Sequence, residues 1–393
     1  MKKISQSPTD PNFVQNPYKF YSDRLQEDGA VFWSDYNMVA VFDYETVATL
    51  IRDKRLGREV PKELAPDHAP HLKPFYDIEA HSMLELEPPR HTRLRSLVLR
   101  AFTSRRIASL APEIKTLCHN LIDRFPKDHV DLLPQYAQHI PVIIIARLLG
   151  VPETMAPDLL RWSNDMVMMY QARRTRALED RAVASAQEFA DFIRGYINQK
   201  RNTPADDLLT HLLQAEEDGE KLSTDELITT CILLLNAGHE ATVHTLGNGI
   251  KTLLEHDIDL NHLTPPNIES TVEEILRYDP PVHMFTRYAY DTLTLNGVTL
   301  ERGDQVAYVY GATGRDPRRW TDPDRFDPTR AIQKNLAFGG GIHFCVGAPL
   351  ARLELQIALP ILFERHPKLK LVRTPQFQNI YHFHGLENLI VSL

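Results

Sequence analysis

The sequence predicts a mainly α-helical protein with a smaller β-rich lobe (α+β). Apolar residues recur at helical spacing through most of residues 89–255, and strand-like alternation flanks this region at 31–42 and 291–310. The chain has 393 residues, 43% hydrophobic and 24% charged, which is ordinary for a globular protein. Length alone would suggest about two or three domains, but no Gly/Ser tract, long charge run or repeat divides the chain.

The N-terminal elements alternate between helix, strand and loop. Residues 17–28 carry a helical pattern, and residues 31–33 and 38–42 are typical of short strands. Residues 60–88 are rich in proline and histidine and predict a long loop. Loops of this length are usually functional or disordered, so we expect this one to border a site.

The longest predicted helix covers residues 224–255. Ser223 and Glu226 have the spacing of a capping box at its start, and the apolar residues from Leu227 to Leu235 indicate a buried helix. At ~1.5 Å per residue it would be roughly 48 Å long, enough to cross the whole domain.

Strand patterns return after this helix. Residues 291–310 predict strands with a turn at Asn296-Gly297. Residues 311–340 are irregular and full of Pro, Asp and Arg, whereas residues 369–393 are strand-like again.

A glycine-rich loop presents one cysteine just before a further helix. The loop reads Phe338-Gly339-Gly340-Gly341-Ile342-His343-Phe344-Cys345-Val346-Gly347. The helix is predicted to start near Ala348, because Pro349 suits a first helical turn. Cys345 would therefore lie where free backbone N–H groups and the positive helix end converge. Such a position lowers a thiol pKa and favours the thiolate.

The residues alone leave the chemistry of this cysteine open. A thiolate there is suited to ligate a metal, to attack an electrophile or to hold a haem iron. A lone cysteine is usually a small core hydrophobe, but successive glycines let a flat or bulky group approach the backbone. A zinc site lacks a second cysteine or a nearby histidine pair, whereas a cysteine hydrolase with a distant histidine is not excluded.

At these residues the chain resembles the cytochrome P450 superfamily of haem-thiolate monooxygenases. The family pattern F-G-x-G-x-H-x-C-x-G is met at every fixed position, and the resemblance covers nearly the whole chain. It implies a single domain over residues 1–393, with haem b between the long central helix and the cysteine loop. Cys345 would ligate the iron, with Phe338, Gly339 and Gly347 beside the cofactor.

The middle of the long helix reads Ala237-Gly238-His239-Glu240-Ala241-Thr242. Taken alone, its small residues indicate close helix packing, whereas the resemblance places Ala237 above the haem. The family motif there is A/G-G-x-E/D-T-T, in which the acid and the next threonine help to deliver protons. Ala241 replaces that threonine, and Thr242 is rotated by about 100°. Proton delivery is thus open between Glu240, Thr242, an ordered water and a polar group of the substrate.

Cationic residues in three distant segments match the positions that pair with the haem propionates. His91 and Arg95 fit the family pattern P-x-H-x-x-x-R, and Arg287 and His343 fit the other positions. Arginine suits carboxylates because its geometry is bidentate. On their own, His91 and Arg95 would indicate only a basic surface helix.

Glu274 and Arg277 share a helix face and can pair. Such pairs are usually solvated and worth only about 0.3–0.5 kcal/mol. The resemblance to the family motif E-x-x-R, followed here by Tyr278-Asp279-Pro280-Pro281, implies a buried pair instead. It would have a structural role, locking an irregular loop through Arg325.

The resemblance also implies a substrate pocket for a medium-sized, largely apolar or aromatic molecule with one polar handle. The 60–88 loop and residues 166–170 would border it. The other predicted wall residues come from the long helix, the segment after Pro281 and the C-terminal turn: Leu233, Asn236, Ala237, Val282, His283 and Phe383.

The implied partners are a small-molecule substrate, dioxygen and a ferredoxin-type electron donor with a separate NAD(P)H reductase. The chain has no dinucleotide-binding fingerprint of its own. Arg93, Arg100 and Arg352 would form the positive docking face. Ala241 keeps a peroxide-using or rearranging haem-thiolate enzyme as an alternative, and Glu240 disfavours a non-catalytic haem-binding sensor.

The composition of the chain indicates which partners and which cellular compartment to expect. The net charge of −8 argues against nucleic acid as a partner, and the sequence shows no signal-peptide pattern and no run of about 20 apolar residues. Three scattered cysteines fit a reducing compartment. We therefore expect a cytoplasmic, bacterial-type monomer without a membrane anchor.

Overall fold

The computed structural model describes residues 1–27, 29–171, 174–217 and 220–393. Helices predominate in it. The α-helices are α1 (Pro11–Gln15), α2 (Pro17–Leu25), α3 (Tyr44–Leu50), α4 (Lys73–Glu79), α5 (Arg90–Ala101), α6 (Ser104–Ser109), α7 (Ala111–Ile122), α8 (His139–Leu149), α9 (Ala156–Val167), α10 (Arg176–Asn202), α11 (Leu208–Gln214), α12 (Thr224–Glu255), α13 (Ile268–Tyr278), α14 (Tyr310–Thr313) and α15 (Ala348–Arg365).

The strands form a smaller part of the molecule. They are β1 (Lys3–Ile4), β2 (Val31–Trp33), β3 (Met38–Val41), β4 (Leu56–Gly57), β5 (His129–Asp131), β6 (Glu216–Glu217), β7 (Glu220–Lys221), β8 (Phe285–Ala289), β9 (Leu293–Leu295), β10 (Val298–Leu300), β11 (Gln305–Tyr308), β12 (Lys370–Leu371) and β13 (Ile390–Ser392). The largest sheet has the order β1-β2-β3-β11-β8-β4, and β12-β13-β5 form a second one. The predicted mainly helical fold with a smaller β-rich lobe is confirmed.

Helix α12 has the predicted bounds and forms the axis of the helical part. Ser223 accepts a hydrogen bond from the Glu226 N–H, and the Glu226 carboxylate accepts one from the Ser223 N–H. The predicted capping box is therefore present. The helix has 32 residues, most of them buried, and packs against α8, α9, α10, α13 and α15.

The turn between β9 and β10 is also as predicted. Asn296 and Gly297 have φ angles of 49° and 78°. Positive φ at both central residues is the geometry of a type I′ hairpin turn, which asparagine and glycine tolerate best.

Two N-terminal predictions need correction. The segment 60–88 is not one long loop, because it contains short 3₁₀ turns and helix α4, which buries Phe75. Proline is compatible with a first helical turn, so a proline-rich sequence can still start a helix. The helix predicted over 17–28 ends at Leu25, and Asp28 lies outside the described residues.

Glu274 and Arg277 form a buried, bidentate ion pair on α13. Both side chains are almost fully enclosed, with exposed fractions of 2% and 1%. Nε of Arg277 donates to Oε2 of Glu274 at 2.7 Å, and Nη2 donates to Oε1 at 2.8 Å. Bidentate geometry is the strongest form of this pairing.

The same pair also binds the irregular segment that follows α14. Arg277 donates to the carbonyls of Gly314 at 2.5 Å and Pro323 at 2.7 Å, and to that of Arg325 at 3.0 Å. Arg325 thus takes part through its backbone, and its charge is not used. The second cation on Glu274 is Arg330, whose Nε lies 3.2 Å from Oε2; sequence reasoning missed it.

Within the described ranges, we find no helix with the length and apolar character needed to cross a membrane.

We expect Arg277→Ala to destabilise the protein severely. Removing one partner of a buried ion pair costs roughly 3–5 kcal/mol, because the other charge is left unpaired in the interior. The measurement is chemical unfolding of purified protein together with its haem content. Lys73→Ala is the control, since the Lys73–Asp77 pair is exposed and such pairs are worth about 0–1 kcal/mol. Equal stability of the two variants would contradict a locking role for Arg277.

Candidate active site

Helix α12 has an open face in an otherwise buried helix. Leu233, Gly238, Glu240 and Ala241 are partly exposed and Ala237 is exposed, whereas nearly all other residues from Glu226 to Ile250 are buried. The spacing of three to four residues places these positions on one side of the helix. We call them the open face of α12. It combines small apolar residues with a single carboxylate.

Cys345 lies at the start of α15, which packs against α12. The loop that holds it uses glycine where the backbone requires it: Gly339 and Gly341 have φ angles of 68° and 63°. The Cys345 N–H donates to the carbonyl of Phe338 at 3.1 Å, which closes the loop. The Cys345 side chain remains exposed, whereas Cys118 and Cys231 are fully buried.

The pKa of the free Cys345 thiol is raised, so the prediction of a lowered pKa is wrong for the free thiol. Protein surrounds the sulfur on most sides although one side is exposed, and this desolvation outweighs the opposing effects. Those effects are the predicted ones: the N–H groups of Gly347 and Ala348 lower the pKa, as do Arg95 and Arg352. An iron ligand must be deprotonated, so binding would release the proton.

His91 and His343 come together at one end of the cysteine loop. Their ring centroids are 4.3 Å apart. Burial, and then the nearby charges of His343 and Arg95, lower the pKa of His91 to about 4. Nδ1 of His91 is buried and has no hydrogen-bond partner among the described residues. A buried ring nitrogen in this state calls for a ligand or water.

The two arginines lie near this histidine pair. Arg95 donates to the carbonyl of Phe344 at 2.6 Å. Arg287 is 5% exposed, donates to the carbonyl of Thr286 at 2.9 Å and lies over the ring of Tyr308. The structure thus brings together the cations that the sequence places in three distant segments.

Glu87 lies among these cations and was missed by sequence reasoning. Its Oε1 is 2.9 Å from Nε2 of His343 and accepts the Arg58 N–H at 2.8 Å. Burial alone would raise its pKa, but His343, the Arg58 N–H and Arg287 outweigh burial and lower it. Arg58 also pairs with Glu85, whereas Arg95 and Arg287 form no ion pair with a carboxylate among the described residues.

The hydroxyl groups near Glu240 are turned away from the open face. Thr242 is buried, and its hydroxyl donates to the carbonyl of Gly238 at 3.1 Å. Thr245 likewise donates to the carbonyl of Ala241 at 2.6 Å. The polar neighbour of Glu240 is instead His244, whose Nε2 lies 3.2 Å from Oε2 of Glu240. The i,i+4 spacing of Glu240 and His244 is visible in the sequence, but His244 is not among the predicted site residues.

Val282 and Phe383, two of the predicted wall residues, lie side by side, but His283 does not join them. The two partly exposed residues form an isolated antiparallel bridge. His283 is fully buried, and its Nδ1 lies 2.9 Å from the Tyr21 hydroxyl. Successive residues of an extended segment point to opposite sides, so the neighbour of a wall residue points into the core. The prediction for His283 is therefore corrected.

Asn236 is the remaining polar residue of the predicted pocket. It is 8% exposed, and its Nδ2 lies 3.6 Å from the sulfur of Met166. Its Oδ1 is buried without a hydrogen-bond partner among the described residues. The amide oxygen is therefore available to a donor.

Asp279, His283 and His384 form a second buried group of polar residues. They lie close enough to hold a metal ion, with their ligand atoms within 4.8 Å of one another. Several of these atoms make hydrogen bonds to protein groups, whereas Nε2 of His384 has no partner among the described residues. Asp279 accepts from the Tyr18 hydroxyl at 2.7 Å and lies 2.8 Å from Nδ1 of His384, and the Arg315 cation lies over the Tyr18 ring. The cluster clamps α2, the segment after α13 and the C-terminal turn together.

The predicted docking arginines are not equivalent. Arg93 pairs with Glu226, and Arg352 pairs with Glu273 and lies over the Phe338 ring. Arg100, near the end of α5, is exposed. Arg93 and Arg352 are thus paired with carboxylates of the chain.

Comparisons with known proteins agree with this architecture. A family model of the cytochrome P450s matches residues 14–257 and 259–387. The polyketide biosynthesis cytochrome P450 PksS of Bacillus subtilis (strain 168) is 35% identical over 409 residues, covering 100% of both chains. The cytochrome P450 monooxygenase PikC of Streptomyces venezuelae is 35% identical, covering 93% of this chain and 87% of PikC.

A solved structure shows the same fold. The crystal structure of P450BioI, in complex with an acyl carrier protein ligated to hexadec-9Z-enoic acid, matches with a TM-score of 0.91. The identity is 33%, and the match covers 97% of this chain and 99% of that one. The chain belongs to the cytochrome P450 family. It is a cytochrome P450 monooxygenase, and its cofactor is haem b.

The residues present fit this cofactor. Cys345 offers the one exposed thiol among the described residues, and Gly347 leaves room beside the sulfur, since even an added Cβ would lie 3.8 Å away. The guanidinium groups of Arg95 and Arg287 and the unpartnered Nδ1 of His91 suit the two carboxylates of haem. The exposed Ala237 offers a flat, apolar surface on α12.

Proposed function

We propose that this enzyme inserts one atom of dioxygen into a small to medium-sized, largely apolar organic molecule. One observation carries the proposal: the open face of α12 presents a lone carboxylate, Glu240, among small apolar groups in the molecular interior. Bound haem supplies oxygen activation, because a thiolate ligand pushes electron density toward O–O cleavage. The residues of the chain bind and orient this group and move protons.

The geometry supports the cofactor assignments. Cys345 would ligate the iron, with Phe338, Gly339 and Gly347 shaping the loop around it. His91, Arg95, Arg287 and His343 would hold the propionates. Glu87 would then share His343 with a propionate, because Oε1 of Glu87 lies 2.9 Å from Nε2 of His343.

The substrate assignment rests on the character of the walls. Leu233 and Ala237 from the open face, with Val282 and Phe383, are apolar and partly or fully exposed. Asn236 is the polar member, and its unpartnered Oδ1 accepts hydrogen bonds. We therefore propose a substrate whose polar handle is a donor, such as a hydroxyl group. Because P450BioI binds a carrier-linked fatty acid, a binding screen should include carrier-bound acyl groups.

The proposed electron supply is external. Electrons would come from NAD(P)H through a separate reductase and a ferredoxin-type protein, because the sequence carries no dinucleotide fingerprint. The donor would dock near Cys345, with Arg93, Arg100 and Arg352 as the steering charges. Rim charges of this kind act mainly on the association rate.

We also propose a domain organisation, a cellular compartment and an oligomeric state. Residues 1–393 would form a single domain, since α12 contacts helices from both halves of the chain. Three free cysteines, two of them buried, fit a reducing cytoplasm. We propose that the enzyme acts there as a monomer.

A peroxide-using enzyme is the second candidate, because residue 241 lacks a hydroxyl and that of Thr242 is bonded to the helix backbone. The test compares product formation with NADH plus ferredoxin and reductase against hydrogen peroxide alone. We expect efficient turnover only with the redox proteins, because Glu240 is retained at the open face. Efficient turnover with peroxide alone, and none with the redox proteins, would contradict the proposed monooxygenase route.

We expect Glu240→Gln to uncouple the enzyme. A general acid contributes roughly 10²–10⁴-fold to a rate, and glutamine keeps the shape but carries no acidic proton. Product formed per NADH consumed should fall sharply, while haem content and substrate-induced spectra stay intact. Thr242→Val is the matched control on the same helix turn, and it should change coupling little, since its hydroxyl bonds to Gly238. Wild-type coupling in Glu240→Gln would refute the assignment.

A further inference from the structure

His244 and Glu240 meet on α12, one helical turn apart. Nε2 of His244 lies 3.2 Å from Oε2 of Glu240, and the side chains are 5% and 15% exposed. In this arrangement the ring N–H is not aligned for a hydrogen bond, and neither buried ring nitrogen of His244 has a hydrogen-bond partner among the described residues. A buried ring nitrogen in this state calls for a partner, and the Glu240 carboxylate is within reach. The histidine ring is held from the other side by the C-terminal turn. A Cβ at Gly385 would overlap the ring, and the Phe383 ring centroid is 5.8 Å away. The imidazole is therefore fixed in place beside the carboxylate.

The hydroxyl groups in this region do not compete for Glu240. Residue 241 is alanine, and the hydroxyls of Thr242 and Thr245 donate to carbonyls one turn back on the helix. Both hydroxyl protons are thus engaged in hydrogen bonds to backbone carbonyls. A carboxylate buried in the interior needs a donor, because leaving it unpaired is costly. His244 is the polar side chain in position to be that donor.

Two titratable side chains, those of His244 and His239, affect the carboxylate of Glu240. Burial would raise the pKa of Glu240, but the neighbouring imidazole of His244, and to a smaller extent that of His239, outweigh burial and lower the pKa. Burial lowers the pKa of His239 to about 4, so His239 is neutral near pH 7.

The elements packed against this stretch of α12 bring apolar groups. Helix α8 brings Ile145 against Gly238, and the C-terminal turn brings Phe383. The nearby titratable residue of that turn, His384, is directed to Asp279 at 2.8 Å. His244 is thus the neighbouring side chain that lowers the pKa of the Glu240 carboxylate most.

We propose that His244 is a positioning residue for Glu240, supplying from the same helix the hydrogen-bond donor that Ala241 cannot supply. It holds one carboxylate oxygen, so the other stays directed to the open face, where it accepts and passes on a proton. This inference rests on the proposed role of Glu240. It predicts that the carboxylate and the imidazole behave as one unit when either is changed.

The test uses the haem-loaded enzyme and the variants His244→Leu and His244→Gln. Infrared titration follows the C=O stretch of protonated Glu240, isolated by subtracting the matching Glu240→Gln protein in each background. We expect the pKa of Glu240 to rise by roughly 1 unit or more in His244→Leu, because a nearby cation and donor lower a carboxyl pKa by about that amount. Product formed per NADH should fall in parallel.

His244→Gln keeps a hydrogen-bond donor but has no imidazole ring, so it should restore part of the coupling and show a smaller rise in the pKa of Glu240. His239→Asn is the matched control, since His239 flanks Glu240 on the same helix but is neutral near pH 7; it should shift the titration less than His244→Leu. Should His244→Leu lose haem, His244→Gln carries the test.

The outcomes separate the two claims. An unchanged Glu240 titration in the His244 variants, together with uncoupling by Glu240→Gln, overturns the role of His244 alone. Normal coupling in Glu240→Gln overturns the proposed role of Glu240 itself. A shifted titration with lost coupling in His244→Leu, and partial recovery in His244→Gln, supports the inference.

Discussion

The buried ion pair between Glu274 and Arg277 is the interaction on which the site depends. The chain between α14 and α15 has almost no regular structure, so its backbone groups need partners other than a helix or sheet. Arg277 donates to the carbonyls of Gly314 and Pro323, and Glu274 accepts the Asp327 N–H at 2.8 Å. Because this segment leads into the cysteine loop, the pair fixes the chain that presents Cys345. Its own stabilising energy matters less than the geometry it enforces.

The second constraint is the balance of charge in the interior. At the cysteine loop, Arg95 and Arg287 form no ion pair with a carboxylate among the described residues, which suits an anionic cofactor. At the open face of α12, Glu240 is instead the one carboxylate among apolar residues, with His244 as its neighbour. The two ends of the site thus suit different tasks. In the proposed function, one end would bind carboxylates, and the other would handle a proton beside an apolar substrate.

The sequence predicts well what local rules determine. The bounds of α12 follow from its capping box, and the hairpin at Asn296-Gly297 follows from residues that accept positive φ. Predictions from the sequence are wrong or incomplete where contacts between distant segments determine the position or the pKa of a side chain. His283 was assigned to a pocket wall, but it is buried against Tyr21. The thiol pKa was predicted from the helix terminus alone, whereas desolvation by the surrounding fold dominates it. The position of Glu87 beside His343 depends on a contact across 256 residues, which no local pattern reveals.

The most direct test of the account is the spectrum of the reduced protein with carbon monoxide. The account predicts the red-shifted Soret band for which the family is named, because Cys345 ligates the iron as thiolate. Cys345→Ser should lose or displace that band. Cys118→Ser should keep it, since Cys118 is fully buried in the core. A normal band in Cys345→Ser would contradict the central claim.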